Sequence, residues 1–103
     1  MGKYKVIISQ KAVNMLKEHI LFLAQVDKNA AEKTRVKLIS AFTSLEEMPN
    51  RYPLFNAPYI PKNRYRKMYV ENWYLVLYQV KESIVYVDYV VDCRRDYQWL
   101  QKD

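Results

Sequence analysis

The chain has 103 residues, half of them apolar, which is long enough for one small core, and we predict a single domain over residues 1–103. Its one cysteine, Cys93, excludes an internal disulfide, its one histidine argues against a zinc site, and no apolar run reaches the roughly 20 residues of a membrane span. The net charge of +6 favours an acidic partner, either a nucleic acid or an acidic protein surface, for a protein that we expect in the cytoplasm.

The first half of the chain predicts a short strand followed by two helices. Residues 4–9 alternate as a strand does and end at Ser9, a suitable N-cap for a helix over residues 10–26. That helix has one apolar stripe, formed by Ala12, Leu16, Ile20 and Leu23. After a three-residue connector, Asn29 with Glu32 resembles a capping box and predicts a second helix that runs to about Met48. Two helices joined so tightly form an antiparallel hairpin.

The second half predicts a loop and then a sheet. All four prolines lie within residues 49–61, which excludes a helix interior or a central strand, and the aromatic residues there indicate a loop that packs back on the domain. Three β-rich runs follow over residues 65–70, 73–80 and 84–91, separated by breaks too short for a helical crossover. The fold class is therefore α+β, with an N-terminal strand and a helical hairpin packed on a small, mainly antiparallel sheet.

One face of this sheet is expected to be open. Strict alternation places Asp88 and Gln79 on the face away from the helices. The apolar residues that alternation puts on the same face are Trp73, Leu75, Leu77, Tyr86 and Val90. An exposed patch of this size usually marks a binding surface, so we expect a partner protein to cover it.

Arginine, lysine and tyrosine are the chemically useful residues that remain. Gly2 is the only glycine, which excludes a glycine-rich phosphate loop, and we expect neither a cofactor nor a metal. The basic residues that could bind a nucleic acid or another target are Lys62, Arg64, Arg66, Lys67, Arg94 and Arg95. They form one cluster only if Arg66 and Arg94 converge. The alternative is a solvated basic rim, or pairing of Arg94 and Arg95 with the neighbouring Asp92 and Asp96.

The ordered set of motifs resembles the RelE/ParE superfamily of toxins from bacterial type II toxin–antitoxin systems. The resemblance runs over residues 4–97 and rests on several short segments in order. They are YKVIIS at residues 4–9, Ala30-Ala31, Leu45-x-x-Met48-Pro49, Tyr65-Arg66-Lys67-Met68, YLVLYQV at residues 74–80 and Cys93-Arg94-Arg95-Asp96. The resemblance implies a growth inhibitor, of the kind associated with plasmid stabilisation, that a cognate antitoxin neutralises by laying a helix or strand over the open face. It also implies a heterotetramer or larger complex with that antitoxin.

The two branches of the superfamily differ in target. RelE-like members cut mRNA in the ribosome without a metal, and such an mRNA interferase activity would here use Arg66, Arg94, Arg95 and Tyr97. ParE-like members inhibit DNA gyrase. Cutting members commonly carry an arginine where this chain has Leu75, and YLVLYQV is closer to the ParE-like pattern, so we favour gyrase. A ribosome-dependent endoribonuclease and a non-toxic structural member of the family remain the alternatives.

Overall fold

Two helices pack on one face of a five-stranded sheet. The computed structural model describes residues 3–58 and 60–94. The elements are β1 (Lys5–Ile8), α1 (Gln10–Ala24), α2 (Lys28–Ser44), a 3₁₀ turn (Pro49–Arg51), β2 (Leu54–Phe55), β3 (Tyr65–Val70), β4 (Tyr74–Lys81) and β5 (Ile84–Asp92). The strand order is β1-β5-β4-β3-β2, with β1 parallel to β5 and every other pair antiparallel. The predicted α+β class, hairpin and meander are confirmed. None of the described helices is long and apolar enough to cross a bilayer.

Each helix begins directly after a residue whose side chain caps it, although one of the two predicted N-cap residues is wrong. Ser9 caps α1 as expected, because its hydroxyl accepts a hydrogen bond from the backbone N–H of Ala12 at 3.0 Å. The cap of α2 is Asp27 and not Asn29, since the Asp27 carboxylate accepts from the N–H groups of residues 29 and 30, both at 3.0 Å. The second helix also ends earlier than predicted, at Ser44. Met48 precedes a proline and takes a left-handed backbone with φ 52°, so the helix cannot continue through it.

The main core lies between the helical hairpin and the sheet. The helix side of this core consists of Ala12 of α1, Leu38 and Phe42 of α2, and Leu45, which follows α2. These residues pack on a row of sheet residues, and all of them are nearly or fully buried. The sheet side of this cluster consists of Met68, Val70, Tyr74, Val76, Tyr78, Val85, Val87 and Val90. His19 is also buried here, with Nε2 2.7 Å from the carbonyl oxygen of Val90.

A β-bulge between β4 and β5 changes which residues of β5 face the helices. Leu77 lies opposite Tyr89, but the next residue, Tyr78, lies opposite Val87, which leaves Asp88 as an extra residue. Beyond the bulge the alternation is shifted by one residue. Val90 consequently faces the helices, where it is fully buried, and its predicted exposure on the open face is wrong.

The other face of the sheet is also covered, by the proline-rich loop. Ile60, with the partly buried Phe55 and Ala57, packs against Leu75 and Leu77, which have no exposed surface. The expectation that the loop packs back on the domain is thus confirmed, and the expectation that Leu75 and Leu77 are exposed is wrong for that reason. On this side Trp73 keeps 46% of its surface exposed and Tyr86 is partly buried.

Candidate target-binding surface

An arginine stacked on a tryptophan lies where β5 leaves the sheet. The guanidinium carbon of Arg94 lies 4.6 Å from the ring centroid of Trp73 and 5.9 Å from that of Tyr74. Trp73 is 46% exposed, and the Arg94 side chain is 49% exposed. We call this pair the Trp73–Arg94 stack. It combines a flat apolar surface with guanidinium donors, a combination that is common at binding hot spots.

A buried carboxylate holds the arginine in this position. Asp92 is 1% exposed, and its Oδ1 accepts hydrogen bonds from the backbone N–H of Arg94 at 2.9 Å and from Nε of Arg94 at 3.4 Å. The first bond closes a turn of the kind that aspartate favours two residues before the donor. The N–H of Cys93 donates to the carbonyl of Trp73 at 2.7 Å, which ties the turn to the start of β4. Pairing of Arg94 with Asp92, one of the alternatives from the sequence, is therefore present, and it leaves half of the guanidinium side chain accessible.

The other predicted basic residues do not join this stack. Arg66 lies opposite Tyr78, whereas Tyr74, which contacts Arg94, lies opposite Val70. Arg66 and Val70 are four residues apart on β3, which is about 13 Å at the rise of a strand. Arg94 lies beside the Val70 end of β3, so the two arginines are far apart. Arg66 faces the helix side and donates from Nη1 to the carbonyl of Tyr52 at 2.6 Å.

The remaining predicted site residues lie apart from Arg66. Lys67 lies on the opposite face from Arg66, with its ammonium 6.0 Å from the ring centroid of Phe55. Lys62 and Arg64 are exposed in the turn before β3. Arg95 and Tyr97 lie outside the described residues. A single arginine cluster containing both Arg66 and Arg94 is therefore not formed.

The covered sheet face holds a polar network beside its leucines. The hydroxyl of Tyr65 and Nε2 of Gln79 both donate to Oδ2 of Asp88 at 2.8 Å. Burial, and next the hydrogen bond to Asp88, raise the pKa of the Tyr65 hydroxyl well above its usual value. A phenol with a raised pKa is a poor general base at neutral pH. The network is better suited to fixing the bulged residue than to proton transfer.

The helical hairpin carries an exposed apolar surface that our sequence interpretation missed. The hairpin exposes five large hydrophobic residues, with Leu21 at 67% and Val26 at 81%. They are Leu21 and Phe22 on α1, Val26 in the connector, and Val36 and Ile39 on α2. A groove of about 280 Å³ lies between the helices and is lined by Leu16, Lys17, Ile20, Leu21 and Arg35. We call these residues together the hairpin surface. The sequence signal was the excess of apolar residues in α1 beyond the single stripe that packs on the sheet.

No described group of three or more His, Cys, Asp or Glu side chains, within residues 3–58 and 60–94, is arranged to hold a metal ion.

Comparisons with known proteins agree with this architecture. A sequence search against curated proteins finds no significant match. The solved chain titled "Chromosomal ParDE TA system from P. aeruginosa" is similar in fold, with a TM-score of 0.71, 14% identity, and coverage of 87% of this chain and 96% of the other. The family model described as "ParE toxin of type II toxin-antitoxin system, parDE" matches residues 6–97. The chain belongs to this ParE toxin family.

Proposed function

We propose that this chain inhibits growth in the cytoplasm by binding DNA gyrase, and that a cognate antitoxin neutralises it. The observation that favours gyrase over mRNA is the covered sheet face. Leu75 occupies the position where cutting members of the superfamily carry an arginine, and both Leu75 and Leu77 are fully buried. A leucine-filled face under a loop offers no electrostatic stabilisation to a phosphate in a transition state.

The remaining basic residues are poorly placed for strand cleavage. Attack of a ribose 2′-hydroxyl needs a base, an acid and positive charge around one phosphate. Arg66 lies near the start of β3, on the helix side of the sheet, whereas Arg94 follows β5 and lies near the other end of β3. Tyr65, the buried tyrosine on the other face, has a raised pKa. Binding to a protein target requires none of these groups to converge.

We propose that the Trp73–Arg94 stack is the contact with gyrase. Tryptophan and arginine are enriched at the centres of protein interfaces, where truncating one of them often costs 2 kcal/mol or more, as an order of magnitude. The stack is half exposed, and Asp92 holds the guanidinium in place before binding, so little side-chain entropy is lost on association. The net charge of +6 favours an acidic surface on the target.

A supercoiling assay with purified gyrase tests this proposal. Wild-type toxin should block supercoiling, and Trp73→Ala and Arg94→Ala should each raise the toxin concentration needed for half-inhibition by about tenfold or more. Lys33→Ala, which removes an exposed positive charge on α2, is the matched control and should inhibit as wild type does. Full supercoiling activity with excess wild-type toxin would refute gyrase as the target.

We further propose that the antitoxin covers the hairpin surface and not the sheet face that we first expected. Five of the exposed large hydrophobic residues lie on the hairpin surface, and its groove is bordered by Lys17 and by Arg35, which pairs with Glu32. Apolar side chains with a basic border suit an amphipathic helix that carries acidic residues at its margins. Trp73 and Tyr86, from the surface expected first, retain partial exposure on the opposite face of the sheet.

Binding measurements with the antitoxin separate the two proposed surfaces. Leu21→Glu and Val26→Glu change exposed residues, so they should leave the fold intact while weakening antitoxin binding by at least tenfold in titration calorimetry. Met48→Glu alters an equally exposed apolar residue away from the hairpin surface and serves as the control. Unchanged affinity of the two hairpin variants would show that the antitoxin binds elsewhere. Light scattering of the same complexes gives their stoichiometry.

Two further assays address the alternatives. Primer extension on translated mRNA, after induction of the toxin, detects cleavage by a ribosome-dependent endoribonuclease. Induction that leaves growth unchanged, with the protein folded and abundant, would identify a non-toxic member of the family. Either result would replace the gyrase proposal.

A further inference from the structure

One end of the sheet face opposite the helices carries a pair of exposed lysines. The register pairs Lys5 of β1 with Ile84 of β5, and Ile84 with Lys81 of β4, so these three side chains project from the same face. Val85, the next residue on β5, is buried under the helices, which places the row of Ile84 on the opposite face. Both lysines are exposed, and they are two strand spacings apart, about 10 Å.

Tyrosine rings continue this surface along β5. Tyr86 lies on the same face two residues after Ile84, and the ammonium of Lys81 is 6.0 Å from its ring centroid. Beyond the bulge, the ammonium of Lys11 is 4.3 Å from the ring centroid of Tyr89 and 3.1 Å from its hydroxyl oxygen. Both rings are partly exposed, and Lys11 is exposed. Cations and aromatic rings therefore alternate across this end of the sheet.

Positive charge is in excess here. Burial, and next the hydrogen bond to Asp88, raise the pKa of the Tyr65 hydroxyl, and the nearby positive charge of Arg64 opposes that rise, which places a further cation at this end. The acidic residues closest along the strands are Asp88, which accepts a hydrogen bond from Tyr65, and Glu82 in the β4–β5 turn. Among the described residues, no carboxylate forms an ion pair with Arg64 or with any of the three lysines. We call this surface the basic face, and it consists of Lys5, Lys11, Arg64, Lys81, Tyr86 and Tyr89.

The chemistry of the basic face suits a phosphate backbone. Lysine, arginine and tyrosine side chains commonly donate hydrogen bonds to phosphate oxygens in protein–DNA complexes. The chain carries a net charge of +6, whereas duplex DNA carries one negative charge for about every 1.7 Å of its axis. Lysine ammonium groups already lie over the rings of Tyr86 and Tyr89, so the ring faces are not open for base stacking. A duplex, in which the bases are enclosed, therefore fits this surface better than a single strand does.

We propose that the basic face binds duplex DNA through its phosphates. The inference rests on the proposed function in one respect, since gyrase is what brings DNA to the bound toxin. The Trp73–Arg94 stack and the basic face lie at opposite ends of the eight-residue strand β4, about 23 Å apart at the rise of a strand. A toxin that is docked on gyrase through the stack thus keeps a separate surface for the DNA that gyrase holds.

Fluorescence anisotropy with the toxin alone tests DNA binding. The probe is a fluorescein-labelled duplex of about 30 base pairs, titrated with toxin at about 50 to 200 mM NaCl. Wild type should bind with a dissociation constant that rises steeply with salt. Lys5→Glu and Lys81→Glu should each weaken binding by about tenfold and reduce the slope of log affinity against log salt by about 1.

A matched variant and a second probe serve as controls. Lys33→Glu makes the same change of charge at an exposed lysine of α2, on the helix side of the sheet, and should weaken duplex binding by about twofold or less. All three lysines are exposed, so each variant should keep the thermal unfolding midpoint of wild type. A single strand of the same sequence should bind wild type more weakly than the duplex, and tighter binding of the single strand would overturn the proposal.

The outcomes also distinguish this proposal from the proposed function. Absence of duplex binding at low salt, or equal weakening by Lys33→Glu, would show that the basic face is not a DNA-binding surface and would leave inhibition of gyrase unaffected. Lys5→Glu and Lys81→Glu should bind DNA-free gyrase as wild type does in biolayer interferometry. Loss of that affinity with unchanged duplex binding would assign the face to a protein contact and would overturn the proposal. Full supercoiling in the presence of excess toxin would refute gyrase as the target without altering duplex binding by the toxin alone.

Discussion

Removing the hydroxyl of Tyr78 should change stability in a way that depends on pH. Tyr78 is fully buried under the helices, and its hydroxyl donates to the carbonyl of Pro49 at 2.6 Å, which fixes the 3₁₀ turn that follows α2. Tyr78→Phe leaves that carbonyl without its donor. At pH 7 the variant should therefore unfold with a free energy lower by about 1–3 kcal/mol.

The difference between the two proteins should shrink at alkaline pH. Burial raises the pKa of Tyr78 to about 12 from its ordinary value of 10.0, even though the positive charge of Arg66 opposes the shift. A raised pKa means that the folded state favours the protonated hydroxyl. The stability that Tyr78 contributes is thus complete below pH 10 and is lost between pH 10 and 12. At pH 11 wild type should have lost about 1.4 kcal/mol that the phenylalanine variant does not lose.

Urea unfolding followed by circular dichroism at pH 7, 9, 10 and 11 measures this difference. Tyr69→Phe, which removes an exposed hydroxyl, controls for the general effect of losing a tyrosine at high pH. The free-energy gap between wild type and Tyr78→Phe should be constant up to pH 9 and smaller by about 1.4 kcal/mol at pH 11. A gap that stays constant through pH 11 would refute the reasoning.

Three further predictions test the structure. Asp27→Ala should destabilise the protein by about 1 kcal/mol, seen as a lower thermal midpoint, whereas Asn29→Ala should cost only a few tenths; equal losses would contradict the assigned cap. Because of the bulge, Val90→Lys should prevent stable folding and Tyr86→Lys should not, as circular dichroism would show; the reverse order would place the bulge elsewhere. His19→Ala should cost about 2–4 kcal/mol in urea unfolding, since it removes a buried ring and its bond to a β5 carbonyl, and a loss below 1 kcal/mol would rule out the buried position.

The regular elements could be predicted because their periodicity is local. The apolar spacing of α1 and the three β-rich runs depends only on neighbouring residues, and Ser9 caps the helix that it precedes. The second cap could not be chosen from sequence alone. Asp27 and Asn29 are both good capping residues, and the choice depends on the extended backbone of Asp27, with φ −154° and ψ 105°.

The candidate site was harder to predict because one extra residue changes the assignment of a whole strand. Nothing in the run IVYVDYVVD indicates that Asp88 is bulged, and without the bulge Val90 falls on the wrong face. Leu75 and Leu77 are covered by an irregular loop through tertiary contacts. The sequence of such a loop has no hydrophobic periodicity from which these contacts could be predicted. Which arginines meet likewise depends on strand register, and this separates Arg66 from the Trp73–Arg94 stack.

The parallel pairing of the first and last strands has a consequence for synthesis of the toxin. Among the described strands β1 pairs with β5 alone, with Lys5 opposite Ile84 and Ile8 opposite Val87, so its partner is made nearly 80 residues later. A nascent chain that stops before Ile84 has an N-terminal segment with nothing to pair with and an incomplete core. Translation products that end before Ile84 should therefore be unable to complete the sheet, and the fold can close only after the final strand has left the ribosome.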